Sequence, residues 1–120
     1  MKKRNVIAYI GSSGALVVAL AAPCLAETVG IASFYGKDFH GHLAADGQPF
    51  NMNALTAAHR NLPFGTKLQV TNLGNGRSVV VRVSDRGPYV SGRVLDLSYG
   101  AACALDMVRN GTARIKFARL

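Results

Sequence analysis

Acidic residues are scarce in this chain, which carries six Asp and Glu against fourteen Lys and Arg and has a formal net charge of +8. General acid-base catalysis needs a titratable side chain at the reacting atom, and carboxylates often supply it. Three of the six acids are poorly placed for catalysis: Glu27 at an expected chain terminus, Asp38 in a polar loop and Asp106 just after the apolar stripe of a predicted helix. Catalysis by a carboxylate would therefore depend on Asp46, Asp85 or Asp96.

Cysteine is almost absent, with Cys24 and Cys103 as the only two. If Cys24 is removed with an N-terminal leader, a single thiol remains and no internal disulfide can form. Cys103 lies in the small-residue run 101–104, where a free cysteine is more often a small buried hydrophobe than a nucleophile. We expect Cys103 to be buried.

The chain also lacks an apolar run of the about 20 residues that a membrane-spanning helix needs. The run at 15–22 is short and follows an interrupting Gly-Ser-Ser-Gly. Basic residues at 2–4, this run and small residues before Glu27 are typical of a secretory signal peptide. We expect residues 1–26 to be a signal peptide and residues 27–120 to be one exported domain with no stable membrane span. Lipidation of Cys24 is the alternative, and Pro23 before it fits poorly.

The basic residues have no aromatic platform among them. Removing the three in the leader leaves eleven of the fourteen, against six acids, for a net charge of +5. Proteins that bind single-stranded nucleic acid combine a basic groove with stacking aromatic side chains, so we expect no nucleic-acid partner. An exported basic domain suits anionic partners such as cell-wall polymers.

Short strands dominate the predicted secondary structure, and no internal repeat or low-complexity segment interrupts them. Alternating or β-branched residues predict strands at 28–35, 68–71, 79–83, 93–95 and 113–117. Asn75-Gly76 is a hairpin signal. Residues 36–53 have no period and predict a long loop, which in a compact domain is usually functional.

Two helical segments are predicted among these strands. Residues 54–60 are expected to form one or two turns that stop before Pro63. A helix is expected at 97–107, with Leu97 and Leu105 in its apolar stripe and Asp96 or Ser98 as its N-cap. Five or six strands and one helix indicate an all-β fold, closed or nearly closed into a small barrel.

The chain is organised around residues 79–102, where Asp85 and Asp96 each follow a predicted strand. A rigid scaffold can aim side chains at a ligand from such positions. Alternative interpretations are that Asp85 is tied to Arg86 or to turn amides, and that Asp96 is a helix cap. A catalytic acid must hold its proton, and partial burial favours the protonated form of a carboxyl group. We expect partial burial for Asp96 more than for Asp85, which we expect to be exposed.

Six motifs, in this order, resemble the rare lipoprotein A family. They are ASFYG at 32–36, FHG at 39–41, NALTAAH at 53–59 with LPFGT at 62–66, VTNL at 70–73 with NG at 75–76, DRGP at 85–88 and DLS at 96–98. They cover nearly all of residues 27–120. The resemblance implies a six-stranded double-psi β-barrel with one or two short helices, the fold also used by expansins, and a domain that acts on peptidoglycan in the periplasm or cell envelope of a bacterium.

Residue roles follow from this resemblance together with the chemistry of the side chains. We expect Asp85, Asp96 and His59 to be catalytic, although a histidine in such a position more often packs than transfers protons. The residues expected to bind the glycan or wall its groove are Tyr35, Gln48, Phe50, Asn51, Thr56, Arg86 and Tyr89. No cofactor is expected, and no metal, because His40 and His42 supply only two of the ligands that zinc requires.

Two departures from the family pattern bear on catalysis. Gln48 stands where the family commonly has a glutamate, and Asn51 where an aspartate is frequent. Amide side chains keep the hydrogen-bonding shape but cannot exchange a proton at neutral pH. Asp46 is the residue that could substitute.

Two functions stay open. The favoured one is an exported lytic transglycosylase that cleaves peptidoglycan glycan strands and forms anhydro-sugar ends. This reaction uses a hydroxyl of the sugar itself as nucleophile, so one acid/base group can suffice. The alternative is a noncatalytic, expansin-like module that binds peptidoglycan or loosens the wall. A third possibility is an inhibitor or assembly partner of other wall enzymes, with cell-division or other envelope proteins as partners.

Overall fold

The structure is a computed structural model and describes residues 26–120. The expected signal peptide and Cys24 therefore lie outside the described residues, apart from Ala26. Six strands and one helix follow in order: β1 (Glu27–Tyr35), β2 (Thr56–Ala58), β3 (Lys67–Asn72), β4 (Ser78–Asp85), β5 (Arg93–Ser98), α1 (Tyr99–Ala104) and β6 (Thr112–Arg119). A 3-10 turn, Lys37–Phe39, follows β1. Within the described range, no helix is long and apolar enough to cross a membrane.

The strands close into a barrel in the order β1-β5-β2-β4-β3-β6. Two pairs are parallel, β1 with β5 and β2 with β4, and the other four are antiparallel. Each strand has two neighbours, so the barrel has no unpaired edge. The prediction of an all-β, six-stranded double-psi barrel is confirmed.

Strand periodicity explains the core. Leu68 and Val70 of β3, Val81 and Val83 of β4, and Ile115 of β6 are at most 1% exposed. Each alternates with more exposed neighbours, as the sequence predicted. The predicted hairpin joins β3 to β4, which pair with Thr71 opposite Ser78. Gly76 adopts a φ of 79° in this turn, a conformation that glycine tolerates best.

The helical turn predicted for residues 54–60 is wrong, because Thr56–Ala58 forms β2. All three residues are buried between β4 and β5. Their small side chains allow close packing there, and tertiary context overrides a helix propensity that is weak over so few residues.

The helix predicted at 97–107 is present but shorter, as α1 (Tyr99–Ala104). It begins two residues later than predicted because β5 continues through Leu97 to Ser98. Ser98, not Asp96, is the N-cap of α1, and its side chain accepts a hydrogen bond from Ala101 N. The expected burial of Cys103 is also wrong. Ala101 and Ala102 face the core, while Cys103 is turned to solvent.

Candidate functional site

The two central aspartates meet at one end of the barrel, on either side of Ala58. Irregular pairing between β2 and β4 places Ala58 opposite Asp85, and β5 places Asp96 opposite Ala58 on its other side. A cavity of about 200 Å³ opens there, lined by Tyr35, Phe39, Ala58, Asp85, Arg86 and Asp96. We call it the aspartate cavity. The fold thus brings together two of the three predicted catalytic residues.

Asp85 ends β4 and is half-buried, which corrects the expectation that it is exposed. Its Oδ1 accepts hydrogen bonds from Arg86 N at 2.9 Å and Ala45 N at 3.0 Å. Its Oδ2 accepts one from the Tyr35 hydroxyl at 3.4 Å. The backbone amides of Arg86 and of Ala45, which lies in the 36–53 loop, therefore orient the carboxylate and leave Oδ2 on the side of Tyr35.

Asp96 is held from the opposite side of the cavity. Its Oδ1 accepts a hydrogen bond from Ser33 Oγ at 2.7 Å and pairs with Arg93 Nη2 at 2.6 Å. Its side chain is 20% exposed. Because both contacts are to Oδ1, Oδ2 has no hydrogen-bond partner among residues 26–120. Asp96 is thus held through Oδ1 alone, whereas Asp85 accepts hydrogen bonds at both oxygens.

Tyr35 joins Asp85 to an aromatic cluster. Its ring stacks on Phe50 with centroids 4.7 Å apart and meets the edge of Phe39 at 5.7 Å. Burial, and then the negative charge of Asp85, raises the pKa of the Tyr35 hydroxyl. The hydroxyl therefore stays protonated at neutral pH and acts as a donor to the carboxylate.

Arg86 lines the cavity, but its guanidinium is occupied elsewhere. Nη1 donates to the carbonyls of Leu62 at 2.8 Å and His59 at 3.2 Å, and the group lies 3.9 Å from the Phe64 ring centroid. The Arg86 guanidinium therefore holds the 59–64 segment in place beside the cavity.

His59 is not among the residues that line the aspartate cavity. Its Nδ1 accepts hydrogen bonds from Asn61 N and Leu62 N, and its ring meets the edge of Phe117. Burial, followed by the positive charges of Arg60 and Arg86, lowers the pKa of His59. Its backbone N donates to Asp85 O at 3.1 Å, so His59 reaches the site through its backbone.

The other predicted binding residues divide into two groups. Gln48, Phe50, Asn51 and Thr56 line a separate small pocket on the far side of Phe50. Asp46 lies there too, where it pairs with Arg82 at 3.3 Å and accepts from Gln48 N at 3.0 Å, and it does not line the aspartate cavity. Tyr89 is 76% exposed and contributes to neither pocket.

Four contributors to the site were missed: Ser33, Phe39, Ala58 and Arg93. Ser33 and Arg93 position Asp96, and Ala58 separates the two aspartates. Their roles depend on the pairing of strands that are distant in sequence, which no local pattern records. The described residues contain no group of three His, Cys, Asp or Glu that could hold a metal ion, and His40 Nδ1 accepts from Met52 N instead.

Solved structures place this arrangement in a class, the double-psi β-barrels. The apo structure of Clavibacter michiganensis expansin is 26% identical, covers 79% of this chain and 50% of that chain, and has a TM-score of 0.63. Streptomyces papain inhibitor is 21% identical, covers 79% of this chain and 94% of that chain, and also has a TM-score of 0.63. The second likeness shows the fold alone.

The chain belongs to the lytic transglycolase family, whose family model matches residues 27–117. The probable endolytic peptidoglycan transglycosylase RlpA of Synechocystis sp. is 60% identical over 86 residues, which are 72% of this chain and 27% of the relative. The RlpA enzyme of Campylobacter jejuni is 56% identical over 87 residues, 72% of this chain and 32% of the relative. The predicted family is confirmed, and this chain spans about a quarter to a third of these curated relatives.

Proposed function

We propose that this domain is an exported endolytic peptidoglycan transglycosylase that cleaves glycan strands in the aspartate cavity. The observation that carries the proposal is the placement of Asp85 and Asp96 on either side of Ala58. The names of the relatives, endolytic peptidoglycan transglycosylases, support the reaction and the substrate.

In this proposal Asp85 is the acid/base group. Its protonated Oδ2 donates a proton to the glycosidic oxygen, and the bond from that oxygen to the anomeric carbon breaks. The C6 hydroxyl of the same sugar then bonds to the anomeric carbon, and its proton returns to Asp85. The product is an anhydro-sugar end, no water is consumed, and the carboxyl group is regenerated.

Asp96, Tyr35 and His59 support Asp85 in different ways. Asp96 supplies negative charge opposite the positive charge that develops at the anomeric carbon. Tyr35 donates to Oδ2 of the ionised Asp85, the form that takes the proton back from the sugar hydroxyl, and orients it. His59 is a positioning residue, because its backbone N binds Asp85 O and its carbonyl accepts from Arg86.

Mass spectrometry of peptide-free glycan strands incubated with residues 27–120 tests the proposal. We expect anhydro-sugar ends with the wild-type domain and about 100-fold fewer with Asp85→Asn, the lower end of the usual contribution of acid-base catalysis. Intact strands after incubation with folded wild-type protein would refute it.

A noncatalytic wall-binding module is the second candidate. It is favoured by the amides Gln48 and Asn51 at positions where the family often has acids, and by the expansin likeness. In that case the domain would sediment with purified peptidoglycan, Asp96→Asn would leave binding intact, and no anhydro-sugar ends would form.

A further inference from the structure

A second, smaller pocket lies next to the aspartate cavity and is lined by both polar and apolar residues. Its volume is about 60 Å³, and its polar lining includes Asp46, Gln48, Asn51, Thr56 and Arg82. Its apolar lining comprises Ala44, Pro49, Phe50 and Ala54. We call it the Thr56 pocket.

The Thr56 hydroxyl is the unusual group in this pocket. Thr56 is 6% exposed, and its Oγ1 is buried with no hydrogen-bond partner among residues 26–120. The neighbouring Ser98 hydroxyl, by contrast, contacts Thr56 N, Ala101 N and Ala54 O. Buried polar groups in proteins are nearly always hydrogen-bonded, so the unpaired hydroxyl of a residue that lines the pocket indicates a missing partner. Oγ1 itself has almost no accessible surface, and a rotation of the Thr56 side chain to another staggered rotamer would be needed to bring it to the pocket wall.

The remaining polar groups of the pocket are already oriented. Asp46 has a side chain only 8% exposed and holds Arg82 Nη1 at 3.3 Å and Gln48 N at 3.0 Å. The charges of Asp46 and Arg82 neutralise each other, which makes the pocket unsuited to an unpaired ion. The ligand group that matches such walls is small and neutral, with one polar edge and one apolar end.

The position of the pocket relates it to the cleavage site. Phe50, which lines the Thr56 pocket, stacks on Tyr35, which lines the aspartate cavity. The loop between Tyr35 and Phe50 is anchored to the end of β4, because Ala45 N donates to Asp85 Oδ1 and Asp46 N donates to Ser84 O. The stacked rings of Tyr35 and Phe50 therefore separate the aspartate cavity from the Thr56 pocket, so one glycan chain can contact both.

We propose that the Thr56 pocket binds the 2-acetamido group of an N-acetylated amino sugar in the glycan. This inference rests on the proposed function, because peptidoglycan strands consist of such sugars. The acetamido group has about four heavy atoms, which suits a pocket that exceeds the space of a single water. The Thr56 side chain rotates so that its hydroxyl donates a hydrogen bond to the acetamido carbonyl, and the acetamido methyl group packs against Phe50 and Pro49.

Two β-1,4-linked hexasaccharides test this pairing, since chitohexaose and cellohexaose differ only in whether C2 carries an acetamido or a hydroxyl group. Binding is measured by isothermal titration calorimetry, with mass spectrometry to verify that the sugars stay intact. We expect the wild-type domain to bind chitohexaose about 10-fold more tightly, the value of a good buried hydrogen bond. Equal affinities, or binding of neither sugar, would overturn the inference without any variant.

Thr56→Val and Thr56→Ser then assign the preference to the hydroxyl. Valine keeps the shape and removes the donor, so chitohexaose affinity is expected to fall about 5- to 10-fold while cellohexaose affinity is unchanged. Serine keeps the hydroxyl and is expected to retain most of the preference. Equal losses for both sugars in Thr56→Val would contradict a role for this pocket in reading the acetamido group.

Glycan cleavage is measured separately in the same proteins. Selective chitohexaose binding without anhydro-sugar products would support the role of the Thr56 pocket and refute the proposed reaction. Cleavage of glycan strands without any preference for the acetylated hexasaccharide would support the reaction and refute the role of the Thr56 pocket. The two proposals therefore fail independently.

Discussion

Asp85 and Asp96 are each paired with the same residue, Ala58, one from β4 and the other from β5. With strands about 4.8 Å apart, this register separates their Cα atoms by about 10 Å across the face of β2. Each carboxylate has its own partners. Asp85 binds Tyr35 and two backbone amides, and Asp96 binds Ser33 and Arg93. The small alanine between them leaves room for a substrate.

Asp85→Asn is expected to abolish most cleavage while leaving the fold intact. The amide oxygen can still accept from Arg86 N and Ala45 N, so the turn is preserved, but no proton can be exchanged. We expect a rate about 10² to 10⁴ lower, with glycan affinity changed by less than about 3-fold. Rates come from anhydro-sugar formation, and Asp106→Asn, at an exposed position with φ of 53°, is the matched control. Unchanged cleavage in Asp85→Asn would remove Asp85 from the mechanism.

Tyr35→Phe isolates the hydroxyl that contacts Asp85. The ring stack on Phe50 at 4.7 Å is kept, and only the 3.4 Å hydrogen bond is lost. We expect cleavage to slow by about 3- to 10-fold, with thermal stability lowered by no more than about 1 kcal/mol. Tyr89→Phe, at a residue that is 76% exposed, should leave both quantities unchanged. A loss of activity only in the Tyr89 variant would show that the glycan contacts a different surface.

The barrel strands were predictable because their signals are local. Alternation of apolar and polar residues identified β3, β4 and β6, and Asn75-Gly76 identified the hairpin. β2 was missed because it has only three residues, which are small and all buried, so no alternation is visible. Thr56 is its single β-branched residue, which is too weak a signal to identify a strand. The start of α1 was misplaced for a related reason, since Leu97 fits a helical stripe as well as the buried face of β5.

Site residues were predictable by chemical type and family resemblance, but their neighbours were not. The sequence identified Asp85 and Asp96 as scarce carboxylates that follow strands. It could not show that Arg93 binds Asp96, nor that His59 turns its Nδ1 toward two backbone amides. Such contacts depend on strand register and loop conformation, which are set by the packing of the whole barrel.

His59 makes folding stability dependent on pH. Its pKa in the folded domain lies below the ordinary value of 6.5, because burial and the charges of Arg60 and Arg86 oppose protonation. As pH falls below 6.5, the unfolded chain binds the proton first, so the stability contributed by neutral His59 is lost. We expect the melting temperature to fall less between pH 7.5 and pH 5.5 in His59→Asn than in wild type, because a histidine titrates in this pH range and an asparagine does not.

His42→Asn, at an exposed position, is the control for this pH profile. Asparagine at position 59 places its Oδ1 at the same distance from Cβ as His59 Nδ1, so it can accept from the backbone amides of residues 61 and 62 and the loop should keep its conformation. Identical pH dependence in wild type and His59→Asn would contradict the depressed pKa.

Thr56→Val is expected to cost no stability. The hydroxyl that it removes has no partner among the described residues, and an unpaired buried polar group costs about 1–3 kcal/mol. Chemical denaturation should therefore show an unchanged or higher free energy of unfolding, while Ser98→Ala, which removes a hydroxyl with three contacts, should lower it by about 1–2 kcal/mol. A clear destabilisation by Thr56→Val would show that the hydroxyl already has a partner, such as a bound water, in the free protein.

Gly100 tests how firmly the long 36–53 loop is held against α1. Gly100 N donates to Met52 O at 2.8 Å, and a Cβ at Gly100 would lie 2.6 Å from Asn53 O. In Gly100→Ala the gain in helix propensity is at most about 1 kcal/mol, whereas overpacking against backbone costs about 1–3 kcal/mol, so we expect net destabilisation. The loop must move to relieve the contact, and it carries Phe50 and Asn51 of the Thr56 pocket. Chitohexaose affinity should therefore fall with stability, while Cys103→Ala, on the exposed side of the same helix, changes neither. A Gly100→Ala domain as stable as wild type would show that the loop adapts without strain.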